Sequence, residues 1–375
     1  IPGVSVLIIK DNKIFLNKGY GYANVSQKTK VTPRTRFEIA SNTKAFTGYS
    51  VLQLAKEGKL NLNDKVSKYV PGFYMNYDDE KKDITIKQLL GHTSGIPSDI
   101  TEEDHYSEDY NSIKNIVDYA KGKELNEAPG DAFEYSNMNY DILGLIVQNV
   151  SHQSYQSYIK EHILSPLNMK DTTFKTTSKK GKNEASGYEL ISGDTEKTTP
   201  EFNIGDTPSA FMMSSTKDLE NWIKMQLEPS DKTRSIVEQS HQAISKSEGI
   251  ADANGYGAGW FINSNDHTIY HTGTLDNFSS EILLNPKKSY GIVVLANMNS
   301  SHVTNLTDNL NSQILNNDHY TTIEQKIDQS ANFNHTITIL SCIGTFIFLI
   351  LSLSRLNKLK LKRIVYDKIT IAFIR

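Results

Sequence analysis

Apolar residues cluster in short runs near both ends of the body and recur at helical spacing between them. Val4–Ile9 is a strand-length apolar run, Asp11-Asn12 a turn, and Lys13–Leu16 a return, so the chain opens with a hairpin. From Ser41 to Lys59, Phe46, Tyr49, Leu52 and Leu54 recur at near-helical spacing, and Gly58 marks the helix end. Ile84–Leu90 reads as a short helix or strand running into Gly91-His92-Thr93-Ser94-Gly95. Asp141–Val150 and Tyr155–Leu164 predict helices, the second closed by Pro166. Residues 175–200, rich in Lys, Thr, Ser and Gly, predict a mobile surface insertion. Thr216–Leu227 predicts a helix capped by Thr216. Past Gly255, strands are predicted at Ala258–Asn263, Ser279–Leu284 and Gly291–Asn297. Strands at both ends with helices between them predict one α+β body whose terminal parts share a sheet.

A different pattern follows. Residues 300–334 are polar and read as a linker. Ile337–Leu353 (ITILSCIGTFIFLILSL) is 17 residues without a charge. At ~1.5 Å per residue it spans roughly 26 Å, close to the ~30 Å hydrocarbon core of a bilayer. Seven positive residues lie from Arg355 onward against one negative, Asp367. The net charge is −3, so a tail of +6 leaves −9 on residues 1–354. A basic cluster just after an apolar span marks its cytoplasmic end. The expected layout is therefore a body over 1–300, a polar linker over 301–334, a transmembrane helix over 335–354 and a basic cytoplasmic tail over 355–375. That places the body outside the cell membrane on a single-pass C-terminal anchor. IPGVSVLII reads as a strand, so export implies a signal upstream of Ile1.

Composition narrows the function. The chain has 375 residues, of which 38% are hydrophobic and 22% charged, enough for a sizeable core. The slight acidic balance argues against a nucleic-acid partner. A single cysteine, Cys342, excludes an intrachain disulfide and a cysteine-ligated zinc site. No His-Glu-x-x-His stands in the chain, which argues against a metal site of that kind. His92 reads as a buried structural histidine, and Trp222 and Trp260 as core.

The chemistry lies in three short motifs. Ser41-Asn42-Thr43-Lys44 heads a helix. Positions three apart share a helical face, so the Lys44 amine reaches the Ser41 hydroxyl. A serine is a weak nucleophile until a neighbour takes its proton, and a lysine whose pKa is lowered by burial can do that. Tyr135-Ser136-Asn137 follows the turn at Pro129-Gly130. Tyr135 facing Lys44 is a candidate base, held as phenolate or near it, and Asn137 offers an amide to a substrate carbonyl. His271-Thr272-Gly273 reads as a strand end whose glycine admits a substrate backbone. The Thr274 N–H pairs with that of Ser41 as candidate oxyanion donors.

These motifs, in this order, resemble the serine β-lactamase and penicillin-binding-protein superfamily, nearest its class C-like branch. FEIASNTKAFTG, GKLNLNDKVSKYVPGF, ITIKQLLGHTSGIP, APGDAFEYSNMNYDILGLIV, ILSPLNMKDTTF, SSTKDLENW and YGAGWF with HTG extend the likeness over roughly residues 1–300. The resemblance implies an antiparallel β-sheet flanked by helices plus an all-α subdomain. It implies that Ser41 forms an acyl-enzyme while Lys44 and Tyr135 handle protons, with no metal or organic cofactor needed. Asn137, His271, Thr272, Gly273 and Thr274 then bind substrate and its oxyanion. Implied partners are β-lactams and D-alanyl amides or esters of peptidoglycan or teichoic-acid type. A class C-like β-lactamase and a non-catalytic penicillin-binding sensor are the alternatives. His271 stands where many β-lactamases carry lysine, which tilts the resemblance toward peptidase and esterase members. Thr274-Leu275-Asp276 replaces glycines common in relatives.

Overall fold

The computed structural model describes residues 1–100, 111–175, 181, 183–200, 202–247, 249–250 and 253–315. Residues Ile1–Ser312 form one compact unit. Its main sheet has eight antiparallel strands. Three come early: β1 (Gly3–Lys10), β2 (Lys13–Asn24) and β3 (Thr29–Lys30). Five come late: β4 (Gly255–Tyr256), β5 (Phe261–Asn263), β6 (Thr268–Leu275), β7 (Phe278–Asn285) and β8 (Tyr290–Ala296). The order across the sheet is β4-β5-β6-β7-β8-β1-β2-β3. β1 is therefore central, with Val4 opposite Ala296 and Leu7 opposite Val293. The expected sharing of one sheet by both terminal parts is what the register gives.

Side-chain chemistry explains the arrangement. β1 and β8 are near-continuous apolar runs and buried on both faces, as strands between two layers must be. The β1–β2 turn places Asp11 and Asn12 at φ 50° and 59°, a conformation that Asn and Asp tolerate. Helices α1 (Thr43–Lys56), α2 (Ile86–Leu90), α3 (Ile113–Ala120), α4 (Asn137–Ser151) and α5 (Tyr155–Ile159) gather around α4 and α1 as a helical subdomain. Next come α6 (Thr216–Leu227), which packs on β1 and β8, and α7 (Arg234–Ser240), which packs on α1. Trp222 of α6 stacks on Phe46 of α1 at 4.0 Å and is fully buried, as is Trp260.

Several expectations need correction. The cap of α6 is Ser215, whose side chain accepts from the Asp218 amide, and not Thr216. Thr216 instead bonds Ser5 and Asn17 of the sheet. The stretch 175–200 holds a hairpin of Gly187–Ile191 and Asp194–Thr198, anchored by the Arg36–Glu184 salt bridge at 2.8 Å. His271 sits inside β6, not at a strand end. The polar segment 301–334 begins as a helix, α8 (His302–Leu315), with Val303, Leu310 and Ile314 buried. Among the described residues no helix is long and apolar enough to cross a membrane. The predicted span at 335–354 and the basic tail lie outside the described residues.

Candidate active site

The nucleophile turn is built before the helix that follows it. Ser41 lies in a 3₁₀ turn, Ala40–Asn42, entered with Ala40 at φ 48°. A non-glycine residue there costs roughly 1–3 kcal/mol and persists only where its surroundings fix it. Those surroundings are on β7. Ser280 Oγ donates to the Ile39 carbonyl (2.7 Å) and accepts from Asn42 Nδ2 (2.8 Å). The Thr43 hydroxyl closes the turn on the Ala40 carbonyl at 2.6 Å. Gly273 of β6 fits against the same turn. A Cβ there would lie 2.4 Å from the Ile39 carbonyl and 2.3 Å from Ser280 Oγ. Its lack of a side chain thus admits the Ser41 turn, a reason different from the substrate backbone expected for it.

Lys44 is completely buried. Its Nζ donates to Ser41 Oγ (3.2 Å), Asn137 Oδ1 (2.6 Å) and the Ser209 carbonyl (3.1 Å). Burial pulls its pKa down to about 7, against the pull of Asp141 and Asp206, which favour the cation. The amine also lies 4.8 Å from the centre of the Tyr135 ring.

Tyr135 bonds through its hydroxyl to Ser41. Some of its surface stays open, yet its ring is packed by His92 at 4.5 Å, His271 at 6.0 Å and Phe261 at 6.1 Å. That apolar packing raises its pKa, so the resting side chain is a neutral phenol. The expected phenolate is corrected: of the two candidate bases, Lys44 is the one brought near neutrality.

The remaining residues divide. Asn137 opens α4 and stays exposed, and together with Thr274 it lines a cleft of about 210 Å³. Glu38, Lys175, Phe202 and Phe211 line the same cleft. His271, by contrast, is only 1% exposed. Its Nδ1 meets the Thr272 carbonyl at 2.6 Å and its Nε2 meets the Tyr256 hydroxyl at 3.1 Å. Burial and the Lys44 charge draw its pKa down to about 3, so the ring is neutral and a structural tie. His92 is likewise buried, as expected for it. Its Nδ1 accepts from the Ser136 amide at 3.2 Å and so holds the Tyr-Ser-Asn segment in place. Sequence reasoning missed Ser280, Ser209 and Asp206, which read locally as ordinary strand or turn, and Asp141, whose carboxylate in an apolar helix was the one local signal. Among the described residues no group of three or more His, Cys, Asp or Glu side chains could hold a metal ion.

A buried lysine against a serine at the head of a helix, with a tyrosine and an asparagine from a second helix start, defines the Ser-x-x-Lys class of site. The chain belongs to the β-lactamase family, whose description, Beta-lactamase, matches residues 1–316. It is 56% identical over 340 residues to Protein flp of Staphylococcus aureus strain MW2, covering 91% of this chain and 68% of that protein. Among solved structures it is similar to the octameric penicillin-binding protein homologue from Pyrococcus abyssi. That likeness has a TM-score of 0.76 at 30% identity and covers 85% of this chain and 74% of the other. A class C β-lactamase shares the fold at a TM-score of 0.69 and 23% identity, over 82% of this chain and 89% of the other.

Proposed function

We propose that the protein is a penicillin-binding-type serine hydrolase that works through an acyl-enzyme. Its substrates would be D-alanyl amides or esters of the cell envelope, in peptidoglycan or teichoic acid, and it would also react with β-lactams. The observation that carries the reading is the hydrogen bonding of Lys44. Asn137 Oδ1 and the Ser209 carbonyl each take one N–H of the amine, leaving the third position on Ser41. An amine with a pKa near 7 sheds that third proton readily, and its lone pair then points at the serine hydroxyl.

The steps follow from that geometry. Ser41 Oγ attacks the carbonyl carbon, and its proton passes to Lys44 Nζ as the O–C bond forms. The tetrahedral intermediate collapses and the C–N or C–O bond to the leaving group breaks. The leaving group takes a proton relayed from Lys44 through the neutral Tyr135 hydroxyl, which touches Ser41. Water repeats the sequence on the acyl-enzyme and frees the acid. In this reading Asn137 and Thr274 orient the acyl group in the cleft, with the Ser41 and Thr274 amides as oxyanion donors. Thr272, His271 and Gly273 keep that strand against the nucleophile turn. We place the body outside the membrane, held by Ile337–Leu353, on the strength of that uncharged run and the basic residues after it.

The test is the full chain incubated with a fluorescent penicillin, followed over time on a gel, with Ser41→Ala as control. A label that depends on Ser41 and persists for hours supports the proposal. A label that vanishes in seconds with release of penicilloate makes it a β-lactamase. No turnover of D-alanyl esters or amides and no label would overturn the catalytic reading in favour of a non-catalytic sensor.

A further inference from the structure

Tyr135 can relay a proton only while its hydroxyl is held against Ser41, yet residues 133–136 lie in neither helix nor strand. Its two backbone neighbours are tied instead to one residue. The Glu134 amide donates to the His92 carbonyl at 2.8 Å, and the Ser136 amide donates to His92 Nδ1 at 3.2 Å. The His92 ring also lies 4.5 Å from the Tyr135 ring, tilted by 32°. One side chain and its carbonyl thus hold Tyr135 from before, from behind and across its ring.

His92 is itself fixed. It is fully buried just past the end of α2, at φ 53°. Such a backbone costs a non-glycine residue ~1–3 kcal/mol and persists where its surroundings impose it. The same turn imposes it by two more bonds. The Thr93 carbonyl accepts from the Gly130 amide at 2.7 Å, and the Gly95 carbonyl accepts from the Asn126 amide at 2.9 Å.

These contacts also assign the imidazole proton. A backbone N–H can only donate, so Nδ1, facing the Ser136 amide, carries a lone pair. Burial and the charges of Lys44 and His271 keep the ring neutral, which leaves its proton on Nε2. Nδ1 also meets Asn139 Nδ2 at 2.9 Å, while the Ser94 hydroxyl donates to Asn139 Oδ1 at 2.6 Å. Nδ1 is therefore a double acceptor, joining the Tyr135 segment to the first turn of α4. Nε2 has no hydrogen-bond partner among the described residues and lies among the rings of Phe133, Tyr140 and Tyr256, 4.7–5.9 Å away. What the imidazole supplies beyond a phenyl ring is thus the acceptor at Nδ1.

We propose that His92 is a positioning residue for acylation: held as the Nε2–H tautomer, it uses Nδ1 to fix the backbone from which Tyr135 aims its hydroxyl at Ser41. It acts through Tyr135, and the inference rests on the relay proposed above.

Two substitutions separate this role from packing. His92→Phe keeps a ring and deletes the acceptor, whereas His92→Asn deletes the ring and keeps an acceptor where Nδ1 stood. In full-length protein titrated with a chromogenic penicillin, His92→Phe should lower the maximal acylation rate by ~10–10²-fold, with the half-saturating concentration little changed. His92→Asn should recover most of that loss. In a Tyr135→Phe background, His92→Phe should add a further loss of less than about threefold, because the hydroxyl it aims is already gone. A Phe variant faster than the Asn variant, or a cost undiminished in the Tyr135→Phe background, would make His92 a core residue only and overturn the proposal. If His92→Phe does not fold, His92→Asn decides: a loss under about tenfold supports the proposal and a larger one overturns it.

Spectra of the full-length protein read the same contact without activity. 15N-labelled histidine should show His92 protonated at Nε2 and bare at Nδ1; the opposite tautomer would overturn the proposal. A 13C label on the tyrosine rings should show the Tyr135 signal displaced in His92→Phe and restored in His92→Asn. If both spectra behave as stated while the wild type is not acylated, the placing of Tyr135 by His92 stands and the hydrolase reading falls.

Discussion

Two lysines flank the nucleophile turn, and both are largely buried, but they are partnered in opposite ways. Lys175 meets a carboxylate head-on: its Nζ is 2.9 Å from Glu38, with side-chain exposures of 11% and 7%. Lys44 meets an amide, a carbonyl and a hydroxyl. A carboxylate in direct contact fixes a lysine as an ion. Neutral acceptors satisfy its protons but leave its charge negotiable. Only the second arrangement serves proton transfer, and the difference is made by which residues reach each amine.

The largest expected effect comes from making Lys44 permanently charged. Lys44→Arg should slow Ser41 acylation by ~10²–10⁴-fold, because a guanidinium does not give up its proton. A stopped-flow assay with a chromogenic β-lactam reads the rate. Tyr135→Phe should cost less, about 10²-fold. Its acid limb should stay near pH 7, since that limb belongs to Lys44. A limb that moves with this substitution would make Tyr135 the primary base.

Stability separates the two lysines by sign. The Lys44 pKa is lowered in the folded state, so below about pH 7 its buried charge costs stability, and the cost fades as pH rises toward 10. Lys44→Met should therefore melt several degrees higher than wild type near pH 6–7, with the gain shrinking at alkaline pH. Lys175→Met should do the reverse and lose roughly 1–3 kcal/mol by stranding Glu38, whose carboxyl burial already pushes up. Adding Glu38→Gln to that variant should recover most of the loss, read by urea denaturation. Equal signs for the two methionine variants would dissolve the contrast.

Much of this was legible in the chain. Ser41 and Lys44 are three residues apart, so local helix geometry alone brings them together. Tyr135 and Asn137 needed the likeness of whole segments to a known family, because nothing local ties residue 137 to residue 44. What stayed hidden depends on long-range packing. Ser209 is 165 residues from Lys44. It sits in a loop held by Thr47 of α1, which donates to the Pro208 carbonyl, and by the room Gly144 of α4 leaves for Pro208. Asp141 stands in the buried second turn of an apolar helix, where a carboxylate is costly, and that anomaly was the available clue. The histidine of His-Thr-Gly is neutral because burial and the Lys44 charge lower its pKa, and nothing in the local sequence shows that burial.

The central position of β1 has a consequence in time. Gly3 is anchored to Asn297, 294 residues further along the chain. At ~5–20 residues per second, β1 waits roughly 15–60 s after synthesis for its partner β8 to exist. Ser280, which holds the strained turn at Ala40, is made almost as late. A nascent chain carrying Ser41 and Lys44 therefore has the reactive residues long before it has the scaffold that arms them. Such a chain folds slowly, with its most distant contacts last. Its nucleophile stays dormant until nearly the whole body has been made.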